Sequence, residues 1–179
     1  MKGFLGFALD TARIMIIALL IVLPIRAFVF QPFLVRGASM EPNFHNGDYL
    51  IIDEFSYHFR NPERGEVIVF RYPNDPSQRY IKRVIGLPGE TVEVSNGKIT
   101  ISDGESKVLR EEYLPQGSKT PGQERATLKG EEYFVMGDNR EFSSDSRTWG
   151  SLPEEYIIGK VMVRVFPFNS FTAVAAPTY

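Results

Sequence analysis

Any hydrolytic chemistry in this chain would have to rest on serine and lysine. The 179 residues contain no cysteine and only two histidines, His45 and His58, in unlike surroundings. A nucleophile would then be a Ser or Thr hydroxyl, and its base a lysine or a carboxylate. Lysine acts as a base only if its ammonium loses its proton near neutral pH, which burial among apolar groups achieves. Lys82 has that setting, in Tyr80-Ile81-Lys82-Arg83-Val84-Ile85, with Tyr80 and Val84 on its own face of a strand. A snorkelling lysine at a sheet edge is the plain alternative. Ser39 is the matching hydroxyl, in Gly37-Ala38-Ser39-Met40-Glu41-Pro42. A serine on such a turn can expose its Oγ and keep its own N–H free for an oxyanion, though an ordinary turn serine has the same local look.

The elements that would position this pair are mostly strands. After Pro32 the chain breaks into short apolar runs separated by Gly, Pro, Asn and Asp. Tyr49–Asp53, Glu66–Tyr72, Tyr80–Ile85, Tyr133–Met136 and Lys160–Phe166 are expected strands. Val67-Ile68-Val69-Phe70 is apolar on both faces and so belongs in the centre of a sheet. Lys160–Phe166 alternates, with Val161, Val163 and Val165 on one face. Thr91–Ser95, Asn96-Gly97 and Lys98–Ser102 form a hairpin signal that sets Val94 opposite Ile99 and Val92 opposite Ile101. The polar, Gly- and Pro-containing stretch to Glu132 completes a small β insertion over residues 89–132.

The N-terminus differs. Ile14–Ile25 is a run of twelve uncharged residues, shorter than the ~20 a bilayer needs. Extension reaches Phe4 through Asp10 and Arg13, or Phe33 past Arg26 and Gln31, and the arginines can snorkel. One transmembrane helix is therefore expected, in preference to a cleaved leader or a buried core helix. Residues 1–32 form the anchor, 33–88 with 133–170 the catalytic β domain, and 171–179 a tail. The fold class is mainly β: an antiparallel sheet domain behind one membrane helix.

Composition excludes other chemistries. Net charge is −2 and pI about 5.8, so binding nucleic acid through bulk positive charge is not expected. The absence of cysteine removes disulfides, thiolate zinc sites and iron–sulfur clusters. No metal site or cofactor is expected. Ser95-Asn96-Gly97-Lys98 matches S-x-x-K formally, but Asn-Gly makes a hairpin turn there. Gly137-Asp138-Asn139-Arg140 lacks EF-hand or P-loop spacing. His45 and His58 are expected at the surface.

Three separated segments together resemble bacterial type I signal peptidase, the membrane-bound Ser-Lys endopeptidase. Ser39-Met40-Glu41-Pro42 is similar to its nucleophile box. Arg64–Phe70 followed by Tyr80–Gly89 is similar to its lysine box, and Gly137–Gly150 to its third. Pro32-Phe33 and Gly159-Lys160 also fit, and the resemblance runs from about Phe28 to Phe168.

The resemblance implies a β fold of the signal-peptidase/LexA-like type, with Ser39 as nucleophile and Lys82 as general base. Ser143 would orient the lysine amine, Asp145 with Arg147 would brace the site, and Asp138 and Arg140 would belong to the same scaffold. The oxyanion hole would be the Ser39 N–H plus a donor at position 37. Gly37 lacks the hydroxyl some members carry there, and an unreplaced donor costs up to about 10²–10³-fold in rate. Phe33, Val35, Met40, Phe44, Leu50, Val69, Tyr80 and Ile81 match shallow pockets for small residues at −1 and −3. Phe44, bulkier than the commoner Leu, implies a −1 pocket no larger than usual. The implied partners are preprotein signal peptides, the lipid bilayer and a nearby secretion translocon. The implied location is the plasma membrane, single-pass, N-terminus cytoplasmic and catalytic domain outside. Two readings compete: a specialised conjugation- or pilin-linked peptidase with the same dyad, and an anchored β binding module whose dyad is dead. LexA-like self-cleaving regulators are soluble and carry a DNA-binding domain, which the N-terminal segment argues against. Ala173-Val174-Ala175 offers a self-cleavage sequence near the C-terminus.

Overall fold

The computed structural model describes residues 3–28, 30–177 and 179. A helix, α1 (Phe4–Phe28), leads into strand β1 (Phe30–Leu34), with residue 29 outside the description. Next come β2 (Tyr49–Asp53), β3 (Val67–Tyr72) and β4 (Asp75–Gly86). A second group follows: β5 (Thr91–Ser95), β6 (Lys98–Asp103), β7 (Glu105–Val108) and β8 (Glu124–Thr127). The chain then returns through β9 (Glu132–Met136), the short helix α2 (Ser146–Trp149), β10 (Leu152–Pro153), β11 (Ile157–Phe166) and β12 (Thr172–Ala173).

Among the described residues the strands make two sheets. The larger runs β1-β2-β11-β3-β4-β9-β10 with β12 beside β11, and the smaller runs β7-β6-β5-β8. All recorded pairings are antiparallel. β3 sits centrally, as a strand apolar on both faces should. Its side chains alternate between two cores. Val67 and Val69 join Val35, Met40, Phe44, Leu50, Ile52, Ile81 and Val161 on one face. Ile68 and Phe70 join Val84, Tyr133, Val135 and Leu152 on the other. A third cluster fastens the small sheet to the large one, Val92, Val94, Ile99 and Ile101 meeting Ile85, Phe134 and Met136.

The Asn96-Gly97 turn has φ of 51° and 76°, both left-handed, and sets Val94 against Ile99 and Val92 against Ile101. Two expectations need correction. β4 starts at Asp75, five residues before Tyr80, because a solvated ribbon continues past the core with Arg71 still paired to Arg79. β11 does not keep simple alternation: bulges lie between Val161 and Val163 and between Arg164 and Phe166.

From Phe7 to Leu20, α1 leaves large apolar side chains uncovered; Phe7, Ile14 and Leu20 are each about 70 % exposed. It is therefore not a core helix. Among the described residues no helix is long and apolar enough to cross a membrane, so the expected bilayer span rests on the sequence.

Candidate active site

Two pieces of chain far apart in sequence meet between β1 and β4. The segment after β1 is a closed loop: Val35 N–H donates to Asp48 O and Gly47 N–H to Val35 O. Inside it, Val35, Met40 and Phe44 are sunk into the first core and hold the Gly37–Ser39 turn against the sheet. Asn139 clamps that turn from outside. Its backbone N–H donates to Ser39 O and its Nδ2 to Ala38 O, each at 3.0 Å. With the carbonyls engaged, the Ser39 N–H has no acceptor among the described residues and stays available to a ligand oxygen. The Gly37 N–H does not, because it donates to Asn46 Oδ1 at 3.0 Å.

Lys82 comes from β4. Only 4 % exposed, it places Nζ 2.8 Å from Ser39 Oγ and 2.9 Å from Ile81 O. Burial brings its pKa down from 10.5 to about 8, against the opposing pull of Asp145 and Asp138. An appreciable share of the amine is then neutral near pH 7. A neutral amine hydrogen-bonded to a serine hydroxyl can act as its general base.

The loop after β9 forms the back of the site. Asp145 is fully buried and caps α2. Burial would raise its pKa, but Arg147, through two 2.8 Å bonds and its charge, and the Gly137 N–H more than offset this and hold the carboxyl ionised. Ser143 Oγ is shielded from solvent, forms no regular hydrogen bond among the described residues and lies toward Asp145. It is free to meet a neighbour that turns toward it. A Cβ on Gly137 would collide with Ser143 Oγ and Ser39 O, so a larger residue there must displace one of them.

Asp138 and Arg140 do not pair with each other. Asp138 takes a two-pronged bond from Arg83, at 2.8 and 2.6 Å, and a third from Asn43. Arg140 binds Glu111 instead. Sequence reasoning missed Arg83, Asn43, Glu111 and Tyr113. For Arg83 there was a signal: it points to the face opposite Lys82 and, unlike a buried lysine, cannot shed its charge, so burying it demands a carboxylate on that side.

A cleft of about 730 Å³ opens along the pair. Phe33, Tyr80 and Ile81 line it, with Gly37, Ser39 and Lys82 at its floor and Phe142 at its rim. Val35, Met40, Phe44, Leu50 and Val69, expected as pocket residues, are 3 % exposed or less and form the packed layer beneath. His45 and His58 are at the surface as expected. Ala173 pairs with Val163, and Val174 packs on the first core, so the Ala-x-Ala near the C-terminus is tied into the sheet. No cluster of metal-ligating side chains occurs among the described residues.

The profile of the family described as "Signal peptidase, peptidase S26" matches residues 8–166. A protein named probable signal peptidase I-1 from Synechocystis sp. is 40 % identical over 187 residues, covering 96 % of this chain and 92 % of that protein. Signal peptidase I of Pseudomonas fluorescens is 37 % identical over 189 residues, covering 79 % and 66 %. Among solved structures, a signal peptidase I from Enterococcus faecalis V583 is 31 % identical, covers 56 % of this chain and 97 % of that one, and superposes with a TM-score of 0.48. A match along nearly the whole chain, and a relative aligned over nearly its own full length, mean that the chain belongs to the signal peptidase, peptidase S26 family.

Proposed function

We propose that this chain is a membrane-bound serine endopeptidase that removes N-terminal signal peptides from exported preproteins after a small-x-small site such as Ala-x-Ala. The observation that carries the proposal is the 2.8 Å contact between the buried Lys82 amine and the Ser39 hydroxyl. Ser39 Oγ attacks the scissile carbonyl while Lys82 Nζ takes its proton. The Ser39 N–H bonds the resulting oxyanion. Collapse breaks the C–N bond, Lys82 returns the proton to the leaving amine, and an ester to Ser39 remains. Water then attacks the ester, again losing its proton to Lys82, and the freed Ser39 oxygen takes that proton back. Ser143, whose buried hydroxyl is not bonded to Lys82 in this structure, would orient the amine by turning toward it, and Asp145 with Arg147 holds the loop that carries it. The substrate lies extended in the cleft beside Phe33, Tyr80 and Ile81.

The uncovered apolar side chains of α1 support a bilayer anchor, with the N-terminus cytoplasmic and the β domain outside near the translocon. Holding both partners in one membrane raises their effective concentration. The test is cleavage of a detergent-solubilised preprotein bearing Ala-x-Ala, from pH 6 to 10, by the wild type, Ser39→Ala and Lys82→Ala. Cutting after the second alanine is expected, rising through a group near pH 8, with both variants silent. An inert but folded wild type, or full activity in either variant, would overturn the reading and favour an anchored binding module.

A further inference from the structure

The hydrogen bonds behind the dyad lead away from it to the connection between β7 and β8, and they converge on one short segment. Arg140 is 4 % exposed and uses every N–H of its guanidinium. Nε donates to Gly137 O at 2.9 Å. Nη1 donates to Glu111 Oε2 at 2.6 Å and to Thr120 Oγ1 at 2.9 Å. Nη2 donates to Glu111 Oε1 at 2.5 Å and to Tyr113 OH at 2.9 Å. Three of the four partners lie between β7 and β8, outside the sheet that carries Ser39 and Lys82. The fourth, Gly137, is wedged between Ser143 and Ser39.

Two more ties reach the same segment by other routes. Asn43, from the Ser39 loop, donates through Nδ2 to Tyr113 O at 3.1 Å and to Asp138 Oδ2 at 2.9 Å. Arg83, the strand neighbour of Lys82, lays its guanidinium over the Tyr113 ring at 4.1 Å while gripping Asp138. Residues 111 and 113 thus touch the nucleophile loop, the lysine strand and the β9 loop at once. A surface decoration would not need a buried arginine with all its donors satisfied. Left unpaired, that arginine would carry a heavy desolvation penalty, so the contact must stay closed.

We infer that Glu111 and Tyr113 are positioning residues for catalysis: a latch from the β7–β8 connection that sets the Ser39–Lys82 geometry through Arg140, Asn43 and Arg83. The β7–β8 connection is then part of the machinery, although no residue of it lines the cleft. This inference rests on the peptidase reading proposed above.

The test compares the full chain with Glu111→Gln, Tyr113→Phe and, as control, the exposed neighbour Glu112→Gln. Preprotein kcat and KM are measured per folded molecule. Titration of the Lys82 amine is followed by NMR of ¹³Cε-labelled lysine. Asp138 and Asp145 are the charged groups acting on that amine, and neither is altered. Glu111→Gln is expected to lower kcat about tenfold with KM within about twofold. Water reaching the loosened site should also raise the Lys82 pKa from about 8 toward its ordinary value. Tyr113→Phe, which removes one hydroxyl, should do the same to a smaller degree, and it decides the matter if Glu111→Gln fails to fold. The inference is overturned if kcat and the Lys82 titration match wild type in both variants, whatever happens to melting temperature. If the wild type itself does not cleave, the peptidase reading has failed, and the lysine titration alone judges the latch.

Discussion

A lysine amine inside a protein core costs free energy when charged, and Lys82 makes that cost measurable. Burial lowers its pKa from 10.5 to about 8. Well below pH 8 the residue is protonated in both folded and unfolded chains, and the folded state bears the full desolvation penalty. Between pH 8 and 10.5 the unfolded chain binds more protons, so stability rises with pH across that window. Lys82→Met should therefore stabilise the fold by ~2–3 kcal/mol at pH 7, since each pKa unit is worth about 1.4 kcal/mol. The gain should shrink as pH approaches 10. Thermal unfolding of both proteins at pH 7 and pH 10 checks this; a gain that is absent, or that does not depend on pH, would mean the amine is solvated. At this scale the sequence carried much of the candidate site. With cysteine absent and histidine scarce, few hydroxyl–base pairs remained, and Ser39 and Lys82 had the most telling neighbours. What sequence could not give were partners made by folding. Glu111 has no local mark that separates it from Glu112, and only the tertiary structure sets one against Arg140 and leaves the other in solvent. Of the eight expected pocket residues, Phe33, Tyr80 and Ile81 line the cleft and the other five lie beneath it, since Val35 and Leu50 look alike in sequence in either place.

Elements were legible where a local pattern has one physical meaning. The Asn96-Gly97 turn fixes strand register because only a left-handed pair joins twisted strands so tightly. The apolar run Val67–Phe70 found the sheet centre because both its faces need cover. The β11 bulges were not legible, because they answer to partners on three strands rather than to the strand's own alternation. Nor was the ribbon at Asp75–Arg79, where backbone pairing runs on without burial to leave a hydrophobic signature. The loop after β9 is the element on which the site depends most. It approaches the Ser39 turn so closely that a Cβ at Gly137 would collide with the Ser143 side chain and with the Ser39 carbonyl oxygen. A colliding side-chain tip can rotate away, but Ser39 O belongs to the turn that carries the nucleophile. Gly137→Ala should therefore cost ~1–3 kcal/mol of stability from overpacking. It should also lower kcat by at least about tenfold in the molecules that remain folded. Melting temperature together with kcat per folded enzyme measures both, and an alanine variant with wild-type kcat would show that the turn can yield.

The whole molecule poses the question of why a well-packed β protein carries a helix whose large apolar side chains from Phe7 to Leu20 are left uncovered among the described residues. Ile14, Met15, Ile16, Ile17, Leu19 and Leu20 are all about half exposed or more, and they occupy every side of the helix. A stripe on one side would suggest docking on a partner or lying flat at an interface. Apolar side chains all round are what the proposed bilayer anchor calls for. Ile17→Lys with Leu20→Lys puts two charges into that run without shortening the chain. Each charge near the centre of a span costs about 2.5–3.5 kcal/mol on insertion scales. The double variant should lose its partition into liposomes. Cleavage of a soluble Ala-x-Ala peptide should stay within about twofold of wild type, because the changes lie outside the β domain that holds Ser39 and Lys82. Cleavage of a preprotein embedded in the same liposomes should fall by about 10²-fold, the scale expected when a tethered encounter becomes a free one. Equal losses on both substrates would mean that the charges had disturbed the β domain. No loss on either would mean that the helix contributes nothing to meeting the substrate, and the proposal of a membrane anchor would fall.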